Sequence, residues 1–363
     1  MAAMTSTTDT REAEPATDER WIEGVVHTAV GPVPRASTTL RLADTLARWK
    51  ARWGMGRMRY QVEPGLYAVG DPTPESPVLV SANYKMSFDC LRSQLGDRDA
   101  WILVLDTRGI NVWCAAGKGT FGTEELVQRV EGVRLGEIVS HRKLVVPQLG
   151  APGVSAHEVR RASGFRVVYG PVRAEDLPAF LAAGMKATPD MRRVRFTLRD
   201  RVVLIPVELV MSAKYLVVAA AVLLLLSGLW RGGYSPARIA TVGIQQVMLL
   251  LGAYLAGAAL APALLPWLPG RAFSAKGAWT GLALFLGIAG YAYMRPEVLE
   301  NWAGGAAWLL LIPAVSSFLA MNFTGASTYT SLSGVRREMR IAVPAQIVSV
   351  VAGLSLWVAG RFV

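Results

Sequence analysis

The sequence predicts two parts of different class: a doubly wound α/β domain over residues 60–200 and a five-helix transmembrane domain over residues 201–363. Three observations predict this. Between about 60 and 185, short β-branched runs alternate with stretches of helical period, the pattern of a parallel sheet covered on both faces. After Arg201, five apolar stretches follow at about 203–230, 238–265, 277–294, 303–323 and 341–360, each near the 20 or so apolar residues that a bilayer crossing requires. Finally, a mean hydropathy of +0.33 with 52% hydrophobic residues is too apolar for an ordinary soluble enzyme of 363 residues.

Residues 1–59 read as a variable N-terminal tail followed by an amphipathic helix. The first 20 residues, rich in Thr, Ala, Glu and Asp, have no apolar period and read as disordered. They also have no basic start and no apolar run, so no secretory signal is expected and the N-terminal part is assigned to the cytoplasm. Over 39–53, Leu42, Leu46, Trp49 and Trp53 recur at three to four residues with Arg and Lys between them. That is the pattern of an amphipathic helix, read as packing on the next domain in preference to lying on a membrane surface. Strands are predicted at 77–80, 101–106, 143–146 and 165–169, and helices at 86–95, 123–139 and 174–183. A sheet of this kind holds its ligand beyond the carboxyl ends of its strands.

Charge orients the apolar stretches. Arg192, Arg193, Arg195, Arg199 and Arg201 precede the first, Arg271 and Lys276 lie between the second and third, and Arg336, Arg337 and Arg340 between the fourth and fifth. The opposite side has Arg231, Arg238, Arg295 and Arg361. The positive-inside rule then predicts a multi-pass protein of the inner (cytoplasmic) membrane, with the N-terminal domain inside and the C-terminus outside. Although the net charge is +11, the basic residues are spread along the chain, which argues against nucleic acid as a partner. Gln245, Gln246, Asn322 and Thr324 are polar groups within the spans, read as helix-to-helix hydrogen bonding.

Only two cysteines occur, Cys90 and Cys114, too few for a disulfide framework, a four-thiolate zinc site or an iron–sulfur cluster in this chain. Cys90, beside Phe88 and Leu91 in a predicted helix, reads as core. Cys114 lies in the run Asn111, Val112, Trp113, Cys114, Ala115, Ala116, Gly117, Lys118, which begins five residues after Asp106 at the carboxyl end of a predicted strand. A phosphate-binding loop would need a glycine where Val112 and Trp113 stand, and Ser or Thr where Gly119 follows Lys118. The nucleotide reading therefore fails on spacing. What remains is a reduced thiol near a helix start and a lysine, both of which favour the thiolate, as a metal ligand or a nucleophile requires. Those facts alone leave a catalytic, a redox and a buried structural cysteine open.

The run 111–118 resembles, at every position, the cap-helix signature of the mercury-methylating corrinoid proteins. Ser81-Ala82-Asn83-Tyr84-Lys85, Pro147-Gln148-Leu149 and Tyr169-Gly170-Pro171-Val172 resemble the matching segments of that family and of the large subunit of the corrinoid iron–sulfur protein. Met321-Asn322-Phe323-Thr324-Gly325-Ala326-Ser327 and the five-span layout are similar to the mercury family, so the resemblance covers about 60–363. The histidine-ligated corrinoid motif is missing, since His27, His141 and His157 each lack an aspartate two residues earlier.

The resemblance implies a Rossmann-like corrinoid-binding domain carrying a cobalamin-type corrinoid, with Cys114 as catalytic residue and lower axial ligand of cobalt. It further implies cofactor contacts from Asn111, Val112, Trp113, Ala115, Ala116, Gly117 and Lys118 of the cap helix, and from Asn83, Tyr84, Gln148, Leu149, Tyr169 and Gly170 around it. Ala115, Ala116 and Gly117 are expected to be small so that the helix can lie against a flat ring. A soft thiolate donates strongly to cobalt and pushes charge toward the opposite face. The implied activity is that of a methyltransferase in anaerobic one-carbon metabolism, passing a methyl group to Hg(II) to give methylmercury. Its implied partners are a ferredoxin-like reductant with two 4Fe-4S clusters, a methyltetrahydrofolate-type donor acting through a methyltransferase, Hg(II) and membrane lipid. One alternative is a membrane-anchored corrinoid methyl carrier of acetyl-CoA metabolism. Another, of a different class, is a transporter or receptor with a cytoplasmic ligand-sensing domain, against which the spans show no paired charges or broken half-helices.

Overall fold

The computed structural model describes residues 20–323 and 332–362. The disordered-tail reading, Arg20 aside, and the resemblance at Thr324, Gly325, Ala326 and Ser327 lie outside the described residues. The chain divides into two compact units, one holding the chain up to Ala51 and Gly56–Arg193, the other Arg52–Met55 and everything from Val194 onward.

In the first unit the order is β1 (Ile22–Thr28), β2 (Gly31–Ala36), α1 (Leu42–Arg52), β3 (Gly65–Val69), β4 (Val78–Ala82), α2 (Lys85–Arg92) and β5 (Ala100–Leu105). Then come α3 (Val112–Lys118), α4 (Thr123–Gly132), α5 (Leu135–Ile138), β6 (Lys143–Val146), α6 (Ala156–Ser163), β7 (Arg166–Tyr169) and α7 (Leu177–Ala182). The strands form one sheet in the order β1-β2-β3-β5-β4-β6-β7. Within it β5, β4, β6 and β7 run parallel, and their order is the doubly wound one, whose crevice opens at the carboxyl ends where the order reverses, between β4 and β6.

The four strands expected from sequence lie within one or two residues of their predicted limits, whereas the purely parallel sheet needs correction. A hairpin, β1 and β2, and the strand β3 extend it on one side, and β3 pairs antiparallel with β5. The hairpin falls in the stretch read as tail and helix. Its residues alternate only weakly, because Glu23, Gly24 and Val25 all face outward, so period two is hard to see. The expected helix at 123–139 is also two, α4 and α5, broken where Arg134 takes the left-handed conformation.

Burial explains why β4 and β5 are so legible. Every residue in both is buried, and successive side chains enter opposite cores. Val78, Val80, Ala82, Trp101, Leu103 and Leu105 pack with Leu126, Val130, Leu135 and Val159 on one face; Leu79, Ala100, Ile102 and Val104 pack with Phe88, Leu177 and Phe180 on the other. The outcome is a three-layer α/β unit. Between α1 and α2 lies a buried ionic cluster: Lys85 donates to Asp44 (3.1 Å) and Asp89 (2.9 Å), and Arg92 donates to Asp89 (2.8 Å) and Asp44 (3.1 Å).

In the second unit, α8 (Leu198–Val202), closed by a capping box of Thr197 and Asp200, leads into α9 (Ile205–Ser227). A two-stranded ribbon, β8 (Leu229–Trp230) and β9 (Gly233–Tyr234), leads to α10 (Pro236–Arg238), α11 (Ile244–Leu255) and α12 (Ala261–Leu264), joined by π-helical turns. Helices α13 (Phe273–Met294), α14 (Trp302–Asn322) and α15 (Leu332–Ala359) follow. Among the described residues, five helical segments are long and apolar enough to cross a membrane: Leu198–Ser227, Pro236–Leu264, Phe273–Met294, Trp302–Asn322 and Ser333–Ala359. The fifth starts before its predicted limit, because Arg336, Arg337 and Arg340 continue the helix instead of forming a loop.

Packing inside this unit uses small residues and spent polar groups. A Cβ added at Gly277 or Gly281 of α13 would lie 2.4 Å from the Ser316 carbonyl or 2.7 Å from the Pro313 Cα of α14, so the Gly-x-x-x-Gly spacing permits close approach. The Gln246 side-chain oxygen accepts from the indole N–H of Trp308 (2.6 Å) and of Trp357 (2.9 Å), and Gln245 donates to the Glu297 carbonyl (3.1 Å). Gln246 thus bridges α11 to α14 and α15, whereas Gln245 ties α11 to the turn between α13 and α14.

Candidate functional site

Four loops leave the carboxyl ends of the parallel strands, and every residue singled out from the sequence lies on one of them. Asn83 and Tyr84 follow β4, the run from Asn111 to Lys118 follows β5, Gln148 and Leu149 follow β6, and Tyr169 ends β7 with Gly170 next. The register places Ala82 opposite Leu105 and Val146 opposite Tyr169, so these four ends lie along one edge of the sheet.

Helix α3 is built to present one turn. Asn111 is its N-cap, the side-chain oxygen accepting from the Cys114 amide at 2.9 Å. Such a cap satisfies a donor that a helix start leaves free. Gly119 ends the helix at φ 81°, a conformation that favours glycine. The Cys114 side chain is exposed, Trp113 is 36% exposed, and Gly117 and Lys118 are exposed beside them. Ala115 and Ala116 point the other way: both are buried in the core with Phe121. Of the three small residues expected beside a flat ring, only Gly117 is exposed. The smallness of the two alanines serves the neighbouring loop. A Cβ on Gly153 would lie 3.1 Å from the Ala116 Cα and 2.1 Å from the Phe121 carbonyl, so the loop after β6 packs directly on the backbone of α3.

Asn83 is 2% exposed, and its amide is taken up within the protein. Its oxygen accepts from the Thr107 amide (3.1 Å), the Thr107 hydroxyl (2.8 Å) and the Gly109 amide (2.9 Å). The nitrogen donates to Gln61 (3.4 Å) and Asp106 (3.3 Å). Asn83 is thus a brace for the loop that launches α3, in which Arg108 and Gly109 take φ values of 57° and 69°. Tyr84 is buried too, its ring edge-on to Tyr60. Both side chains, expected at the cofactor, are thus covered by protein. Gln148 accepts from Arg192 at 3.0 Å. Tyr169 donates to the Val154 carbonyl at 2.7 Å, and burial pushes its phenol above the ordinary value.

Thr107, Asp106 and Gln61 were missed from sequence. The only local signal was the turn-forming Asp-Thr-Arg-Gly after a strand, and Gln61 is brought in by tertiary structure alone. Cys90 sits half-buried on α2 with the Arg48 guanidinium 3.8 Å from its sulfur, on the helix carrying the ionic cluster.

Among the described residues no three His, Cys, Asp or Glu side chains converge as a metal site would require. A cofactor that brings its own equatorial donors needs only one axial ligand, and one exposed thiol on a capped helix at a ligand-binding edge fits that demand. A zinc-type site, with three or four protein ligands, does not fit.

Residues 52–181 match the family model described as the CO dehydrogenase/acetyl-CoA synthase delta subunit. The gamma subunit of the acetyl-CoA decarbonylase/synthase complex from Methanopyrus kandleri is 37% identical over 123 residues, covering 33% of this chain and 26% of the relative. The corresponding subunit from Archaeoglobus fulgidus is 33% identical over 127 residues (34% and 27% of the two chains), and that from Methanothermobacter thermautotrophicus 30% over 122 (33% and 26%). The chain thus spans about a quarter of the length of these relatives. The matched family segment contains β3 to β7 and the whole candidate site, and ends before the apolar helices.

Proposed function

We propose that the α/β unit binds a cobalamin-type corrinoid at the carboxyl edge of its parallel strands and serves as a methyl carrier, with Cys114 as the residue that would hold its cobalt. One observation carries the reading: the exposed Cys114 thiol, on a helix capped by Asn111, stands at that edge inside the segment that matches the CO dehydrogenase/acetyl-CoA synthase delta subunit model. When bound, the corrinoid supplies a cobalt centre that can take up and give up a methyl group. The protein's own part is positional. Asn111 orients the turn that carries the thiolate, Asn83 fixes the loop before it, and Trp113 and Gly117 provide an aromatic face and an open backbone beside the sulfur. A thiolate is a soft donor, so Cys114 would hold the corrinoid's metal through its sulfur.

The methyl acceptor separates two readings. The relatives support a corrinoid methyl carrier of one-carbon, acetyl-CoA-type metabolism, and this is the reading the comparisons favour. A second reading, methyl transfer to Hg(II) giving methylmercury, is favoured by the run 111–118, which resembles the mercury family's cap-helix signature throughout. The five apolar helices, with arginines before the first and at the start of the fifth, support insertion in the inner membrane with the α/β unit inside and the C-terminus outside. In this reading electrons come from a ferredoxin-like partner and methyl groups from a methyltetrahydrofolate-type donor. The deciding experiment is an absorption spectrum of the anaerobically purified protein, where a cobalt–thiolate signature absent in Cys114→Ala is expected. A colourless wild-type protein that stays colourless on reconstitution with cobalamin would refute the carrier reading. Incubation with Hg(II) and a methyl donor then divides the two acceptors by whether methylmercury forms.

A further inference from the structure

Helix α1 has its polarity inside out. A helix at the surface of a soluble domain turns its apolar stripe inward. Here the inward positions are Asp44 and Ala51, both buried, with Ala47 and Arg48 half-buried between them. Asp44 meets Lys85 and Arg92, and Arg48 reaches the Cys90 sulfur. The outward stripe is Leu42 (84% exposed), Leu46 (62%), Trp49 (65%) and Trp53 (47%), and Met55 and Met58 continue it. The reading of this helix as packing its apolar side on the next domain is therefore corrected.

Two features say what covers this face. The first is charge: residues 39–59 contain Arg41, Arg48, Lys50, Arg52, Arg57 and Arg59 against one acid, Asp44, which is turned inward and paired. Tryptophans and leucines in a row, flanked by basic residues, match an acidic lipid surface, where indoles sit at headgroup level and Lys and Arg meet phosphates. The second is continuity. Residues 52–55 cluster with the unit of apolar helices, and Gly54, at φ 79°, has its Cβ direction within 3.7–4.0 Å of Val207, Val210 and Met211 in the first turns of α9. The chain leaving α1 thus passes directly into the unit of apolar helices at residues 52–55.

We propose that α1 is an in-plane membrane anchor, its stripe of Leu42, Leu46, Trp49 and Trp53 inserted at the headgroup–acyl boundary of an acidic phospholipid bilayer. The inference rests on the reading of the five apolar helices as membrane spans and is independent of the corrinoid. Site-directed spin labelling of the full chain in nanodiscs of phosphatidylcholine and phosphatidylglycerol tests it. Single cysteines are placed at Leu46 and Trp49 in a Cys90→Ala, Cys114→Ala background, with Glu131 on α4 as the aqueous reference and Val218 on α9 as the lipid reference, both exposed.

Labels at 46 and 49 are expected to behave like the one at 218, open to dissolved oxygen and several-fold less accessible to a water-soluble nickel chelate than the label at 131. Nickel accessibility equal to that at 131 would overturn the anchor while leaving the spans intact. Low accessibility to both reagents would mean that a partner protein or a second copy of the chain covers the stripe, and would overturn it equally. A label at 218 open to nickel would overturn the spans and the anchor together. Replacing phosphatidylglycerol by phosphatidylcholine alone is expected to raise nickel access at 46, and an unchanged value would refute the acidic-lipid part of the proposal.

Discussion

Helices α2 and α3 each carry one of the two cysteines, and they treat it in opposite ways. On α2, Cys90 is half-covered, and the helix is bound into the unit by Lys85, Asp89 and Arg92, whose charges are all paired with one another or with Asp44. On α3, Cys114 is uncovered, Ala115 and Ala116 are buried with Val112 packed beside them, and the Asn111 side chain caps the Cys114 amide. A helix that spends its polar groups inward is a structural member. A helix that packs through small side chains and leaves a thiol in the open is arranged to present something. The largest expected effect follows: Cys114→Ala abolishes the cobalt–thiolate spectrum and methyl transfer, with an unchanged thermal midpoint, while Cys90→Ala keeps most of both. Equal loss in the two variants, with both folded, would erase the distinction.

The reverse experiment acts on α2. Removing one member of a buried ionic group strands its partners in a poorly solvating interior, which costs about 3–5 kcal/mol. Arg92→Leu removes a guanidinium that is 0% exposed and bonded to both Asp44 and Asp89. A loss of stability of that order is expected in thermal or denaturant unfolding of the full chain in detergent, together with weakened cobalt binding through unfolding alone. If stability stays within about 1 kcal/mol of wild type, the cluster is not what holds α1 to α2.

The legibility of the sequence divides along a similar line. Strands β4 and β5 were readable because two cores force a continuous apolar run. The five membrane-type helices were readable because length and apolarity are local properties. Cys114 and its cap were legible as a motif on eight consecutive residues. The hairpin β1–β2 was not, since most of its outer strand lies exposed and its pattern is diluted. The role of Asn83 was hidden for a different reason: its five partners lie on Gln61, Asp106, Thr107 and Gly109, and nothing in a linear pattern says whether an amide after a strand faces a ligand or a loop. The facing of Ala115 and Ala116 likewise depends on where Gly153 packs.

Asn83 joins the two regions of the comparison, since it stands between β4 and α2 yet serves α3. Asn83→Ala leaves the Thr107 and Gly109 amides without their acceptor in a buried setting, at a cost of about 1–3 kcal/mol. The loss is expected to be local. Hydrogen exchange should quicken at Thr107, Gly109 and the first turn of α3, cobalt–thiolate absorption should broaden or weaken, and the exchange of β4 should hold. Unchanged exchange in the loop would mean that Gln61 or water takes over the role.

The smallest expected effect is a pH dependence carried by α1 and α2. Burial raises the Asp44 carboxyl, but the Arg41 amide, which donates to it at 3.1 Å, and the charges of Lys85 and Arg92 outweigh that and hold it below the ordinary aspartate value. A carboxyl depressed in the folded state releases its proton more readily there than in the unfolded chain. Its contribution to stability is therefore full above the unfolded value, about 3.9, and is lost as pH falls through the lower folded value. The thermal midpoint of the wild-type chain should accordingly drop below about pH 4 more steeply than that of Asp44→Asn, which has no carboxyl to protonate there. Asp44→Asn should be less stable at neutral pH and converge toward wild type in acid, with the cobalt–thiolate spectrum unaffected at any pH where both are folded. Parallel acid limbs in the two proteins would mean that Asp44 gains nothing from its cationic partners, and that the cluster is held by shape and hydrogen bonds without its charge.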